Sequence, residues 1–201
     1  MNKKPKKGEY LDTILRSNKT IFSIKDVALL WSEEQEQKVA LRLNKYAKAG
    51  KLLRLRRGFY AKDKNYNPLE LATRIYTPAY ISFETILTRS GINFQKYDSI
   101  FVASYITRDI NVDGQKISLI RMKDYVLSNI LGIKNENNIS MATKERAFLD
   151  RIYINKDYHF DNLDCLDWNK VFEILPIYHN KKMEKRVNNY YKYYKSQKYD
   201  N

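Results

Sequence analysis

Residues 20–61 place two short amphipathic segments and a small basic hairpin end to end, an order that leaves few folds open. The first segment starts after Ser23, a residue type that caps helices by accepting bonds from first-turn amides, and carries Val27, Ala28, Leu30 and Trp31. A polar break, Ser32-Glu33-Glu34, follows. The second segment sets Val39, Leu43, Tyr46 and Ala47 on one face at helical spacing and ends near Gly50. Its other face carries Lys38, Arg42, Lys45 and Lys48. Two short runs, residues 52–55 and 59–61, then flank Arg56-Arg57-Gly58, which reads as a hairpin with an arginine pair beside its turn glycine. Helix, turn, helix, hairpin is the order of a winged helix-turn-helix, whose second helix enters the DNA major groove. The predicted DNA contacts are Lys38, Arg42 and Lys45 on that helix and Arg54, Arg56 and Arg57 on the wing. Arginines pair with guanine edges or phosphates, while lysines more often fix register on the backbone.

Two amphipathic helices and a hairpin also occur in domains that bind nothing, so the charge distribution decides. Residues 1–62 hold 16 Lys+Arg against 6 Asp+Glu, and residues 63–201 hold 21 against 17. A polyphosphate backbone suits such a concentrated excess, because neutralising phosphates releases counterions. Membrane binding would need a broad apolar face opposite the lysines, and here that face is required by the core. No apolar run reaches the ~20 residues of a membrane-spanning helix. Residues 2–7 have the charge of a signal-peptide start but no apolar stretch behind them, and read as a flexible basic arm. A single cysteine, Cys165, rules out an intramolecular disulfide and fits a reducing cytoplasm.

The polar connector at residues 63–67 predicts a boundary between a DNA-binding domain, residues 1–62, and a second domain, residues 67–201. Asn67-Pro68 suits a helix start, Asn as cap and Pro at the first helical position, followed by Leu69, Ala72, Ile75 and Tyr76. Tyr80-Ile81 is short and extended, and Ser82 is placed to cap a helix holding Phe83, Ile86 and Leu87. Residues 99–105 and 117–120 are rich in β-branched and aromatic side chains and read as strands, with Asp113-Gly114 as turn material. Residues 139–142 read as a strand, and residues 125–130 as a strand or, alternatively, a helix. Thr143 then caps a helix whose packed face is Ala147, Phe148 and Ile152, with Lys144, Glu145 and Asp150 expected to be more exposed. Asp167 and Asn180 cap two further helices. The predicted class is α+β: helices, a small and mostly antiparallel sheet, then helices.

Little in the chain suits catalysis. Its two histidines, His159 and His179, have no metal-ligand spacing to Cys165, and six glycines never recur at phosphate-loop spacing. Neither an enzyme nor a cofactor is expected. The final stretch, residues 181–201, holds seven Lys+Arg against two Asp+Glu, interleaved with Tyr190, Tyr191, Tyr193, Tyr194 and Tyr199. Such interleaving suits stacking on single-stranded nucleic acid. The plainer expectation is a helix that packs its tyrosines while its lysines stay solvated.

Several blocks, taken in order, resemble one family. They are Arg57-Gly58-Phe59-Tyr60, Asn67-Pro68-Leu69-Glu70-Leu71-Ala72, Tyr80-Ile81-Ser82-Phe83-Glu84-Thr85-Ile86-Leu87, Gly91-Ile92, and Met141-Ala142-Thr143-Lys144-Glu145-Arg146-Ala147-Phe148-Leu149-Asp150. Their order resembles the AbiEi-type antitoxins of type IV toxin–antitoxin (abortive infection) systems, in which proline often stands at the place of Lys144 and lysine at that of Arg146. The resemblance implies an amino-terminal winged helix for double-stranded DNA and a carboxy-terminal antitoxin domain. It implies repression of the protein's own promoter through inverted repeats. It also implies action against a co-expressed nucleotidyltransferase toxin, generally without a stable complex. Within the matching blocks, Ser82, Glu84, Lys144, Glu145, Arg146 and Asp150 are the candidates for antitoxicity. Two other readings stay open: a plain winged-helix transcription factor with a sensing or dimerising second domain, and an RNA-binding protein using the Lys/Tyr-rich end.

Overall fold

The computed structural model describes residues 5, 6 and 8–199; of the expected basic arm, Asn2, Lys3, Lys4 and Lys7 lie outside them. The chain is α+β and divides into two compact units, Met1–Leu71 and Ala72–Asn201. The division falls inside a helix, Pro68–Arg74, just beyond the polar connector at residues 63–67.

The first unit runs α1 (Tyr10–Leu15), β1 (Ile21–Ser23), α2 (Ile24–Leu30), α3 (Glu36–Lys48), β2 (Leu53–Arg56) and β3 (Phe59–Ala61). Ser23 caps α2 as its type predicts, and Asp26 completes a capping box by accepting from the Ser23 amide at 2.8 Å. The three strands form one antiparallel sheet in the order β1-β3-β2. Leu55 is an extra residue in the β2–β3 pairing, and Arg57-Gly58 make the two-residue turn, with Gly58 at φ +83. The core gathers Ile14, Phe22, Val27, Trp31, Val39, Leu43, Leu52 and Tyr60. The indole N–H of Trp31 donates to the Tyr10 carbonyl at 3.0 Å and to Thr13 Oγ1 at 2.9 Å, which fixes α1 on the bundle.

α4 (Pro68–Arg74) begins within this unit. Asn67 Oδ1 accepts from the Leu69 amide at 3.0 Å, the capping role predicted for it. The buried Glu70 carboxylate accepts from the amide and the hydroxyl of Thr20, at 3.0 and 2.6 Å, and the Asn67 amide donates to that hydroxyl oxygen.

The second unit is built on a six-stranded sheet ordered β6-β7-β5-β4-β9-β8. Its strands are β4 (Ala79–Ile81), β5 (Ser99–Ser104), β6 (Arg108–Val112), β7 (Gln115–Arg121), β8 (Ile133–Glu136) and β9 (Ile139–Ala142). The pairings β4–β9 and β5–β7 are parallel, so the sheet is mixed and wider than the small, mostly antiparallel one expected. Asp113 and Gly114 both have positive φ and close a tight hairpin, but between β6 and β7. Residues 125–130 are not a strand: α6 (Asp124–Leu127) and a loop occupy them. α5 (Phe83–Arg89), α7 (Lys144–Ile154), α8 (Trp168–Ile174), a 3-10 turn (Leu175–Tyr178) and α9 (Lys181–Tyr199) complete the unit. Thr143, Asp167 and Asn180 cap α7, α8 and α9 through their side chains. Ser82 occupies the cap position of α5 without capping it; its hydroxyl is used elsewhere.

Candidate functional site

The basic residues singled out in the first unit separate into those that face solvent and those engaged by the fold. Lys38 and Lys45 on α3 are exposed, as are Arg54 on β2 and Arg57 at the hairpin turn; Arg56 is half-buried. Arg42 departs from the expectation of a free base-reading side chain. Its guanidinium lies 3.6 Å from the centroid of the Tyr10 ring and 5.6 Å from that of Trp31, whose rings meet edge to face at 5.1 Å. A planar cation over aromatic faces is held by their negative quadrupole, so Arg42 serves the α1–α3 packing.

Leu41, not singled out from the sequence, is 65% exposed between Lys38 and Lys45. The signal was present, because Leu41 falls off the Val39, Leu43 and Tyr46 stripe and therefore points away from the core. Asn44 on the same helix is occupied, its Oδ1 accepting from the Tyr60 hydroxyl at 2.9 Å. Burial pushes the Tyr60 hydroxyl up from its ordinary pKa, with Arg54 opposing. Glu33, Glu34 and Glu36 gather at the amino-terminal end of α3, where they favour the helix dipole and repel phosphate. The phosphate-tolerant surface of this unit is therefore the middle and carboxy-terminal half of α3 together with the hairpin.

The six residues singled out in the second unit are, with one exception, buried. Lys144 is half-buried, whereas Ser82, Glu84, Glu145, Arg146 and Asp150 are inside. The expectation that Glu145 and Asp150 project from the surface is overturned, for a clear electrostatic reason. Asp150 and Arg146, both with 0% side-chain exposure, form an i,i+4 pair at 3.2 Å. Asp150 also accepts from the hydroxyls of Tyr178 (2.7 Å), Ser82 (2.7 Å) and Tyr80 (3.2 Å). Arg146 donates to the carbonyls of Val126 (2.8 Å), Leu131 (2.7 Å) and Asn129 (3.4 Å) and to the Tyr80 hydroxyl (3.1 Å). The guanidinium is thus fully engaged, which is the condition for burying such a charge. Burial raises the Asp150 pKa against the pull of Arg146 and the hydroxyls. Burial and the neighbouring Asp150 charge raise Tyr80 and Tyr178 well above their usual range.

A second pair, Arg151 with Glu84, lies one residue along α7. The Arg151 guanidinium sits 5.0 Å from the Phe83 centroid and 5.2 Å from that of Tyr158, and burial with the Glu84 charge raises the Tyr158 pKa. Ser82 and Glu84 therefore bond consecutive positions of α7. Between them Phe83 is held at φ +52, a strained value for an aromatic residue that only over-determined surroundings maintain. Glu145 Oε1 accepts from the Asp167 amide at 3.3 Å, ahead of α8. The network clamps β4, α5, the α6–β8 loop and the 3-10 turn onto α7. With Asp150 enclosed and its oxygens occupied, it lacks an open position where a substrate atom could meet it.

No protein-family model matches the chain, and no curated protein does.

On α9 the tyrosines take the packing role. Tyr190 meets Phe160 at 5.3 Å and Phe148 at 5.8 Å, while Tyr191 and Tyr194 meet Trp168 at 5.0 and 5.4 Å. With buried Met183 and Val187 they form the apolar stripe of the helix, and only Tyr193 is left exposed among the tyrosines of residues 190–194. The Lys198 and Tyr199 side chains lie outside the described residues. Among the described residues no three His, Cys, Asp or Glu side chains gather in a metal-holding group, and no helix is long and apolar enough to cross a membrane.

Proposed function

We propose that this chain is a non-enzymatic, cytoplasmic DNA-binding protein: an autorepressor and antitoxin of the AbiEi type, whose first unit is a winged helix. The supporting observation is the order α1-β1-α2-α3-β2-β3 around one antiparallel sheet, with Lys38 and Lys45 exposed on α3 and Arg54 and Arg57 on the adjoining hairpin. In this reading α3 is the recognition helix and β2–β3 the wing. Lys38, Lys45, Arg54 and Arg57 hold phosphates, and Leu41 offers an apolar contact to a thymine methyl. Arg42 sets the recognition helix on α1 and reads no base. The operator is an inverted repeat in the chain's own promoter, and the functional partner is a nucleotidyltransferase toxin encoded beside it. The buried Arg146–Asp150 network holds the second unit together, leaving Lys144 as the one of the six antitoxicity candidates with access to a partner.

The test uses a promoter–reporter fusion and a toxin-rescue assay in the same cells. The change Lys38→Ala, Lys45→Ala, Arg54→Ala, Arg57→Ala is expected to abolish repression while rescue from the neighbouring gene's product persists. Unchanged repression would remove the DNA-binding assignment, and a wild-type chain that rescues nothing would remove the antitoxin one.

A further inference from the structure

The second unit carries a groove of about 540 Å³ that the DNA-binding proposal leaves without a task. Four cations from four elements line it: Arg89 at the end of α5, Lys134 on β8, Lys144 at the start of α7 and Lys170 on α8. Arg89, Lys134 and Lys170 are exposed, and among the described residues Arg89, Lys134 and Lys144 make no ion pair. Lys170 has Asp167 at 3.3 Å, an exposed contact that leaves it largely solvated. Glu145 is the one carboxylate in the lining, and it is buried and bonded to the Asp167 amide.

Bringing like charges from four elements to one concavity costs stability unless an anion sits among them. The groove also includes the first turn of α7, whose amides and dipole favour negative charge. Its other wall is apolar, with Ile86, Met141 and Ala142. Cations beside an apolar wall, in a volume within the ~300–1,000 Å³ of small-molecule sites, match a molecule with an anionic end and an apolar body.

We infer that this groove binds a phosphorylated small molecule of nucleotide size. The phosphates lie against Arg89, Lys134, Lys144 and Lys170, and the base or equivalent body lies against Ile86 and Met141. A free phosphate chain shares the first half of this chemistry, so the probes separate the two halves.

The full-length protein is titrated calorimetrically with ATP, tripolyphosphate and adenosine. ATP is expected to bind more tightly than tripolyphosphate, and adenosine not measurably. The change Arg89→Ala, Lys134→Ala, Lys144→Ala is expected to weaken ATP at least about tenfold, as charge-assisted phosphate contacts are lost. Its melting temperature without ligand should stay the same or rise, because like-charge repulsion is relieved. Met141→Ala should weaken ATP and leave tripolyphosphate nearly unchanged. Absence of ATP binding, or ATP binding indifferent to the triple change, overturns the inference. Equal affinity for ATP and tripolyphosphate overturns the nucleotide assignment. Loss of promoter binding with ATP affinity intact would assign the groove to nucleic acid and overturn it as well; failure of the α3 and wing residues alone would leave it standing.

Discussion

Asp150 shows how far a single residue's role depends on what the fold brings to it. Read along the sequence it is a charged residue on a helix, suited to the surface; in the structure it accepts from Arg146 and three hydroxyls in a sealed interior. Asp150→Ala leaves Arg146 buried without its counter-ion and is expected to cost about 3–5 kcal/mol by urea denaturation, so loss of any activity in that variant would report unfolding first. Tyr80 and Tyr178 give the network a pH signature. Their folded pKa values lie well above the ordinary 10.0, so between that value and the folded one the unfolded chain releases protons that the folded chain keeps. Their contribution to stability is complete below pH 10 and declines above it, by about 1.4 kcal/mol per pH unit for each tyrosine. Denaturation midpoints at pH 9, 10 and 11 should fall, and Tyr178→Phe should make that fall shallower. An unchanged slope would show that Tyr178 titrates normally in the fold.

Among the elements, those with long periodic signals or strong caps were legible and those fixed by distant partners were not. The Val39, Leu43, Tyr46 and Ala47 stripe announces α3, and Thr143, Asp167 and Asn180 announce the starts of α7, α8 and α9 because each satisfies first-turn amides locally. β1 and β6 span three and five residues, too few for a pattern to stand above chance, whereas Tyr80-Ile81 reads as extended and lies in β4. α6 reads as strand because Tyr125 and Val126 favour it, yet the Val126, Asn129 and Leu131 carbonyls around it are collected by Arg146 from α7. Gly132 lets that loop approach, since a Cβ there would lie 2.9 Å from Arg146 Cβ and 2.9 Å from Ile174 Cδ1. The exposed cations of the candidate interface were legible as types and spacing. The stacking of Arg42 was not, because Tyr10 reaches it only through the fold. α4 belongs to the same class: its first turn is held by Glu70 on Thr20, a contact far apart in sequence. Glu70→Ala is expected to destabilise the first unit by about 1.5–3 kcal/mol in chemical denaturation, and an unchanged midpoint would show the two bonds to be dispensable.

For the whole molecule, positive charge is concentrated in residues 1–62, while acidic side chains cluster at the amino-terminal end of α3. Under the proposed function, that asymmetry favours a phosphate backbone along the exposed face of α3 and the hairpin. Operator binding through this surface is expected to be strongly salt-dependent. The direct measurement is the affinity of the full-length protein for its own promoter, by fluorescence anisotropy over a range of salt, beside a shuffled duplex of equal length. Affinity should fall log-linearly with salt by about 0.9 per phosphate neutralised. The change Lys38→Ala, Lys45→Ala, Arg54→Ala, Arg57→Ala should lower that slope by about 3–4. Promoter affinity no greater than that for the shuffled duplex, or a slope the four substitutions leave unchanged, would contradict the assignment of operator binding to this surface.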